Sequence, residues 1–254
     1  MTGERVEGRV IIEVTGKDRF DFLQGLVSND VNSSKAGLVY AALLTPQGKY
    51  LADFFLLERG EAVLIDVAAS LAEGLLKRLS LYKLRAAVDL RIVDLPVSRG
   101  LGEPPEGALP DPRHPSLGWR VYGLSGDAPR IDWDKIRVAA GIPESGIELV
   151  PDETYLLEAG FERLSGVDFR KGCYVGQEVT ARMKHKTELR KGLVIVEVDG
   201  IAPAGTPIMA GDKQAGTLFT QSDGHGIAYL RFDRATGDMK AGDALVRFAG
   251  ASER

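Results

Sequence analysis

The single cysteine of the chain, Cys173, lies in the run Lys171-Gly172-Cys173-Tyr174-Val175-Gly176-Gln177-Glu178, directly after Arg170. A thiol reacts, or binds metal, as the thiolate, and cationic neighbours favour that form. Arg170 and Lys171 are therefore expected to lower the pKa of Cys173, which makes Cys173 and Lys171 the candidate catalytic pair. Gly172 and Gly176 allow a tight turn and close approach by another molecule. The opposing reading is a compact residue packed in a strand, the commoner fate of a lone free cysteine. Tyr174 either stacks on a ligand or fills core. Gln177 and Glu178 either recognise a polar ligand edge or brace the loop.

A metal site owned by this chain alone is not expected, because one cysteine and three histidines, His114, His185 and His225, cannot supply four soft ligands. Nucleophilic catalysis by Cys173 needs a general base within hydrogen-bond reach, and His185 is the nearest by number. Arg170, Lys171, Arg182, Lys184, Lys186, Arg190 and Lys191 crowd one stretch, interrupted by Glu178 and Glu188. Such a run is either a solvated face or a docking patch for an anionic tail, an acidic partner or RNA. The chain as a whole carries a formal net charge of −4, which argues against a protein that coats nucleic acid through a broad positive surface.

These residues need a scaffold, and 254 residues, 44% of them hydrophobic, can bury a substantial core in two or three compact units. Arg9 to Val14 reads as a strand, with Thr15 capping a helix whose apolar stripe is Phe20, Leu23, Leu26 and Val27. Leu38 to Thr45 and Tyr50 to Glu58 read as a hairpin about Pro46-Gln47-Gly48-Lys49. Glu61 to Val67 is expected to be a strand, Ser70 with Glu73 a capping box opening a helix through about Leu81, and Ala87 to Val93 another strand. Leu95 to Ser116, dense in proline and glycine, reads as a long surface connection. Trp119 to Gly123 reads as a strand, and Asp132 as the cap of a short helix ending near Gly141. After about Leu189, short β-type runs between frequent glycines suggest a small barrel. The fold class is α+β, with helices over one face of a largely antiparallel sheet and a carboxy-terminal β-barrel.

No apolar run is long enough to cross a bilayer, and Met1 to Val10 lacks the apolar centre of a secretory signal. One cysteine suits a reducing compartment. The expected location is the cytoplasm, with no membrane partner.

The octapeptide, continued by Val179-Thr180-Ala181-Arg182, resembles the signature of the YgfZ family of folate-binding, iron–sulfur-cluster maturation proteins. Gly16 to Val31 is similar to the opening segment shared by that family and the glycine-cleavage T-protein, an aminomethyltransferase. Leu44 to Lys49, Asp111-Pro112-Arg113-His114-Pro115 and Leu117-Gly118-Trp119-Arg120 also look like the family, and Leu157-Glu158-Ala159-Gly160 resembles part of the T-protein's folate-binding domain. The resemblance implies a T-protein-like region over residues 1–188, in two α+β subdomains of approximately 1–95 and 96–188, and a barrel over 189–254, arranged around a central folate-binding cavity. It implies a tetrahydrofolate-type ligand held by Asp53, Tyr174, Gly176, Gln177, Glu178 and Arg182, with Gln177 and Glu178 on a pteridine edge. It also implies a transient iron–sulfur cluster, with one thiolate from Cys173 and the others from a partner or glutathione.

The implied function is tetrahydrofolate-dependent assembly or repair of iron–sulfur proteins, with carrier and client proteins as partners. Two departures from the T-protein pattern bear on catalysis. Ala52 precedes Asp53 where the T-protein has paired acids, and Asp152 stands where it has a pterin-holding arginine. The alternative is an aminomethyltransferase acting with a lipoyl-carrier protein through Asp53, independently of the thiol. A third reading is a noncatalytic folate- or tRNA-binding module, associated with tRNA modification, that uses the basic stretch.

Overall fold

The computed structural model describes residues 3–186 and 188–250, with Lys186 described by its backbone alone. The first elements are β1 (Glu4–Arg5), β2 (Arg9–Thr15), α1 (Arg19–Gln24), β3 (Val39–Leu44), β4 (Tyr50–Arg59), β5 (Ala62–Ala68), α2 (Ala69–Tyr82) and β6 (Asp89–Val93). Five of these strands form an antiparallel sheet in the order β3-β4-β5-β2-β6. Successive side chains of a strand point to opposite faces. One face, including Val39, Ala41, Phe54, Leu56, Ile65 and Val67, packs beneath α1 and α2 through Leu23, Ala72, Leu75 and Leu79. The other, including Tyr40, Phe55 and Leu64, meets Val97, Tyr122, Trp133 and Phe161. Burial of both faces explains why β3 and β5 are almost continuously apolar in sequence.

Two helix starts differ from the sequence expectation. β2 extends through Thr15, and Asp18 occupies the cap position of α1, its carboxylate accepting from the Ala87 N–H at 2.8 Å. Ser70 and Glu73 lie inside α2, which begins directly from β5, so Ala68 is its cap residue and the Ala69 N–H donates to Gly8 O. At Thr15, pairing with Asp89 carries the strand over the local capping signal, whereas at Ser70 the helix starts one residue ahead of it, where β5 ends.

The second sheet is built from β7 (Val97–Gly100), β8 (Leu109–Pro110) and β9 (Trp119–Tyr122), in the order β1-β7-β9-β8. The connection expected over Leu95 to Ser116 thus contains an inner strand. Its proline and glycine content hid Val97–Gly100, where Gly100 lies against the ring of Trp119. α3 (Trp133–Ala140) is capped by Asp132, which accepts from the Lys135 N–H at 3.0 Å, and it ends at left-handed Gly141, as expected.

α4 (Gln177–Lys186) leads into β10 (Lys191–Asp199), β11 (Thr206–Ala210), β12 (Lys213–Ser222), β13 (His225–Arg231), β14 (Met239–Ala241) and β15 (Ala244–Arg247). These six strands close into a barrel around Val196, Ile208, Leu218, Leu230 and Val246. Glu158 ties the barrel to the rest of the chain. Its carboxylate accepts from the Tyr229 hydroxyl at 2.5 Å, and its carbonyl from the Leu193 N–H at 2.7 Å. Buried Arg137 on α3 adds bonds to Glu148 and Thr220.

Candidate functional site

The segment bearing Cys173 is a loop between Asp168 and α4, and Cys173 is exposed in it rather than packed in a strand. Three anchors hold the loop. The Lys171 ammonium donates to the carbonyls of Gln24, Val27 and Asn29 at 2.9, 2.5 and 3.0 Å. Those acceptors satisfy all three of its N–H groups, while burial lowers its pKa to about 8. Gly176 has φ +83°, and a Cβ there would stand 2.5 Å from Thr45 O on the β3–β4 turn. Gln177 begins α4, its side-chain oxygen accepting from the Tyr174 N–H at 3.2 Å and its own N–H donating to Tyr174 O.

The loop is thus fastened on both sides of the thiol, and several side chains take specific parts in this. Lys171 points into the segment after α1, a direction that sequence adjacency to Cys173 does not reveal. Arg170 is almost fully exposed, with Asp168 at 3.9 Å as its ion-pair partner. Gln177 takes the bracing role, while Tyr174 is half-buried against the core with Lys171 Nζ 5.0 Å from its ring centre. Glu178 and Arg182 are exposed on α4, with Glu178 in the first turn, where a negative charge suits the helix dipole. Gly172 faces open space.

Asp53 sits apart from this loop, facing inward on β4 and only 4% exposed. Three hydroxyls donate to its carboxylate: Tyr40 at 2.9 Å, Tyr50 at 2.6 Å and Ser145 at 2.6 Å. Burial, and then the Asp53 charge, raises the pKa of both tyrosines and keeps them as donors. Tyr40 stacks on Phe161 with ring centres 5.1 Å apart, and Tyr50 also packs on Phe161. The hairpin pairs Ala42 with Asp53 and Tyr40 with Phe55, so Tyr40 was findable from alternation. Ser145 arrives from a distant loop without a local signal. Asp53 thus accepts from three hydroxyls of the chain itself, inside closed aromatic packing. Asp152, on an exposed turn with φ +64°, donates its N–H to Tyr50 O.

Two cavities open elsewhere. One of about 540 Å³ lies beside the barrel, lined by residues including Ile147, Ile201 and Phe219; the other, of about 470 Å³, lies beside Trp119 and Pro104. Neither is lined by Asp53 or by any residue of 170–178, so the thiol is displayed on a surface and not at the mouth of either hollow. Among the described residues no group of three His, Cys, Asp or Glu side chains is placed to hold a metal, and His185 is exposed near the end of α4. The Lys186 side chain lies outside the described residues. Lys184 pairs with Glu162, and Lys191 lies 3.7 Å from Glu158, so two cations of the basic stretch have partners within the chain.

Comparison with known proteins adds a family to this geometry. Residues 190–251 match the family model for the CAF17 C-terminal beta-barrel domain. The mitochondrial iron–sulfur cluster assembly factor IBA57 of Mus musculus is 30% identical over 283 aligned positions, covering 92% of this chain and 79% of the mouse protein. The chain belongs to the IBA57 iron–sulfur cluster assembly factor family. The Homo sapiens IBA57 matches at 30% identity with the same coverage of both chains. The IBA57 homolog of Pyricularia oryzae is 34% identical over 74% of this chain, which spans 55% of that relative's length.

The glycine cleavage system aminomethyltransferase T of Bartonella henselae shares the fold, with a TM-score of 0.76 over 95% of this chain and 82% of that one. At 14% identity the likeness is one of fold alone. The cytoplasmic expectation is overturned, since these IBA57 relatives are mitochondrial proteins. The features behind it, a lone cysteine, a Met1 to Val10 stretch without an apolar centre and, among the described residues, no helix long and apolar enough to cross a membrane, do not distinguish a mitochondrial address from a cytosolic one.

Proposed function

We propose that this IBA57-family chain acts in iron–sulfur cluster assembly by presenting Cys173 as a thiolate ligand to a cluster passing between a carrier and a client protein. The observation that carries the reading is an exposed sulfur on a loop pinned by Lys171, Gly176 and Gln177. A pinned loop offers its thiol with little ordering left to do, which lowers the entropic cost of engaging a partner. The cluster is cargo, and one sulfur is an incomplete ligand set that the carrier or client must complete. The exposed cations Arg170 and Arg182 favour an acidic partner surface beside the thiol.

No step is assigned to tetrahydrofolate: Asp53 already accepts from three hydroxyls, and Gln177, expected on a pteridine edge, braces the loop. Aminomethyl transfer through Asp53 meets the same obstacle. The tRNA reading is weakened by the internal partners of Lys184 and Lys191. Complementation tests the proposal. In a strain lacking this protein, Cys173→Ala is expected to accumulate as a folded protein without restoring cluster-dependent enzyme activity. Full rescue by that variant would exclude the thiol from the function.

A further inference from the structure

A second feature lies between the two sheets and does not involve the thiol. The register of the second sheet places Glu4, Arg99 and Arg120 side by side on β1, β7 and β9. Like charges directly opposite each other are destabilising unless each is compensated. Arg120, 2% exposed, donates to Asp66 at 2.7 Å and lies 3.9 Å from Asp111. Both carboxylates are shared: Asp66 also pairs with Arg9 at 2.6 Å, and Asp111 with Arg113 at 2.8 Å. Three guanidiniums thus divide two carboxylates around the ring of Phe55, at 5.7, 4.8 and 4.4 Å from its centre for Arg9, Arg113 and Arg120.

Arg99 adds a fourth cation. Its guanidinium carbon lies 3.9 Å from the ring centre of Trp133, and among the described residues no carboxylate lies within ion-pair distance of it. Glu4, its neighbour in register, is already engaged by the N–H groups of Arg130 and Ile131 and by Trp133 Nε1. Glu144, the other acid that influences Arg99, faces Arg137 at 3.8 Å. Burial, and then repulsion from Arg120, lowers the Arg99 pKa to about 10. Arg120 Nε is itself buried without an acceptor. Arg99 is only partly buried, which leaves an approach from solvent.

We propose that Arg99 and Arg120 together bind the carboxylate or phosphate group of a small molecule. A planar guanidinium presents paired N–H donors matched to such oxyanions, and Trp133 holds the Arg99 plane in place. The anion would supply both the acceptor missing at Arg120 Nε and the charge missing beside Arg99. The site is independent of Cys173 and stands or falls separately from the cluster reading.

The test is thermal unfolding of the full chain titrated with sodium phosphate or with sodium acetate, each compared with sodium chloride at equal ionic strength. At least one oxyanion is expected to raise the midpoint saturably above chloride, and the one acting at lower concentration identifies the group preferred. Arg99→Gln is expected to weaken that response about tenfold or more. Arg247→Gln, on the outer barrel, is expected to leave it unchanged. Equal responses to all three salts, or an unaltered response in Arg99→Gln, would overturn the proposal. Failure of Arg99→Gln to fold without anion would also overturn it, because Arg99 would then be a structural residue.

Discussion

Gly172 and Gly176 flank the thiol at one and three residues, yet they stand in different surroundings. Gly172 faces open space, whereas Gly176 has positive φ and touches the β3–β4 turn. Gly176→Ala is therefore expected to destabilise the chain by about 1–3 kcal/mol through strain and a clash with Thr45 O. Gly172→Ala is expected to remain within about 0.5 kcal/mol of the parent. Urea unfolding of both variants checks the contrast, and equal losses would contradict the anchoring role of Gly176. The motif itself was legible because a lone cysteine between glycines and cations is an unusual combination. The direction of Lys171 was not, since its three acceptors come from residues more than a hundred positions earlier.

Among the elements, the strands were read well and the helix starts unevenly. The hairpin around Pro46 to Lys49, the α3 cap and the barrel all follow from local pattern, because turn chemistry and apolar periodicity agree there. Thr15 and Ser70 carried the right residue types, but sheet pairing runs through Thr15, and α2 begins at Ala69, ahead of Ser70. Asp132→Ala is accordingly expected to lose about 1 kcal/mol, as for a working cap. Ser70→Ala, at an exposed position inside α2, is expected to change stability by less than about 0.5 kcal/mol. Equilibrium denaturation measures both, and a cap-sized loss at Ser70 would contradict the observed start of α2. Val97–Gly100 was missed because flanking prolines and glycines mask a strand whose partners are far away in sequence, Glu4–Arg5 on one side and Trp119–Tyr122 on the other.

For the whole molecule, the joint between the two sheets is charged, and that sets its response to acid. Burial pushes the Asp66 carboxyl upward, but Arg9 and Arg120 more than offset this and leave it at about 2, below its ordinary 3.8. Asp111 shifts the same way, with Arg113 overcoming burial. A carboxyl with a depressed folded-state pKa contributes stability that is complete above about pH 4 and is lost as pH falls through about 2. For Asp66 this is about 2 kcal/mol. Urea unfolding free energies should hold steady from pH 7 to 5 and fall between pH 4 and 2, whereas a flat profile to pH 2 would contradict the charged joint. The Arg120–Asp66 pair was not legible in advance, because it joins strands of different sheets, whereas Arg9–Asp66 lies within the first sheet and Asp111–Arg113 within one loop.

The central claim is that an exposed, anchored sulfur serves cluster assembly, and its most direct test is anaerobic. A cluster-loaded carrier is mixed with an apo-client enzyme, and recovery of client activity is timed with this protein or with Cys173→Ser, whose unfolding midpoint is first matched to the parent. The account predicts faster recovery with the parent and none of that acceleration with Cys173→Ser. Equal acceleration by the two would contradict it.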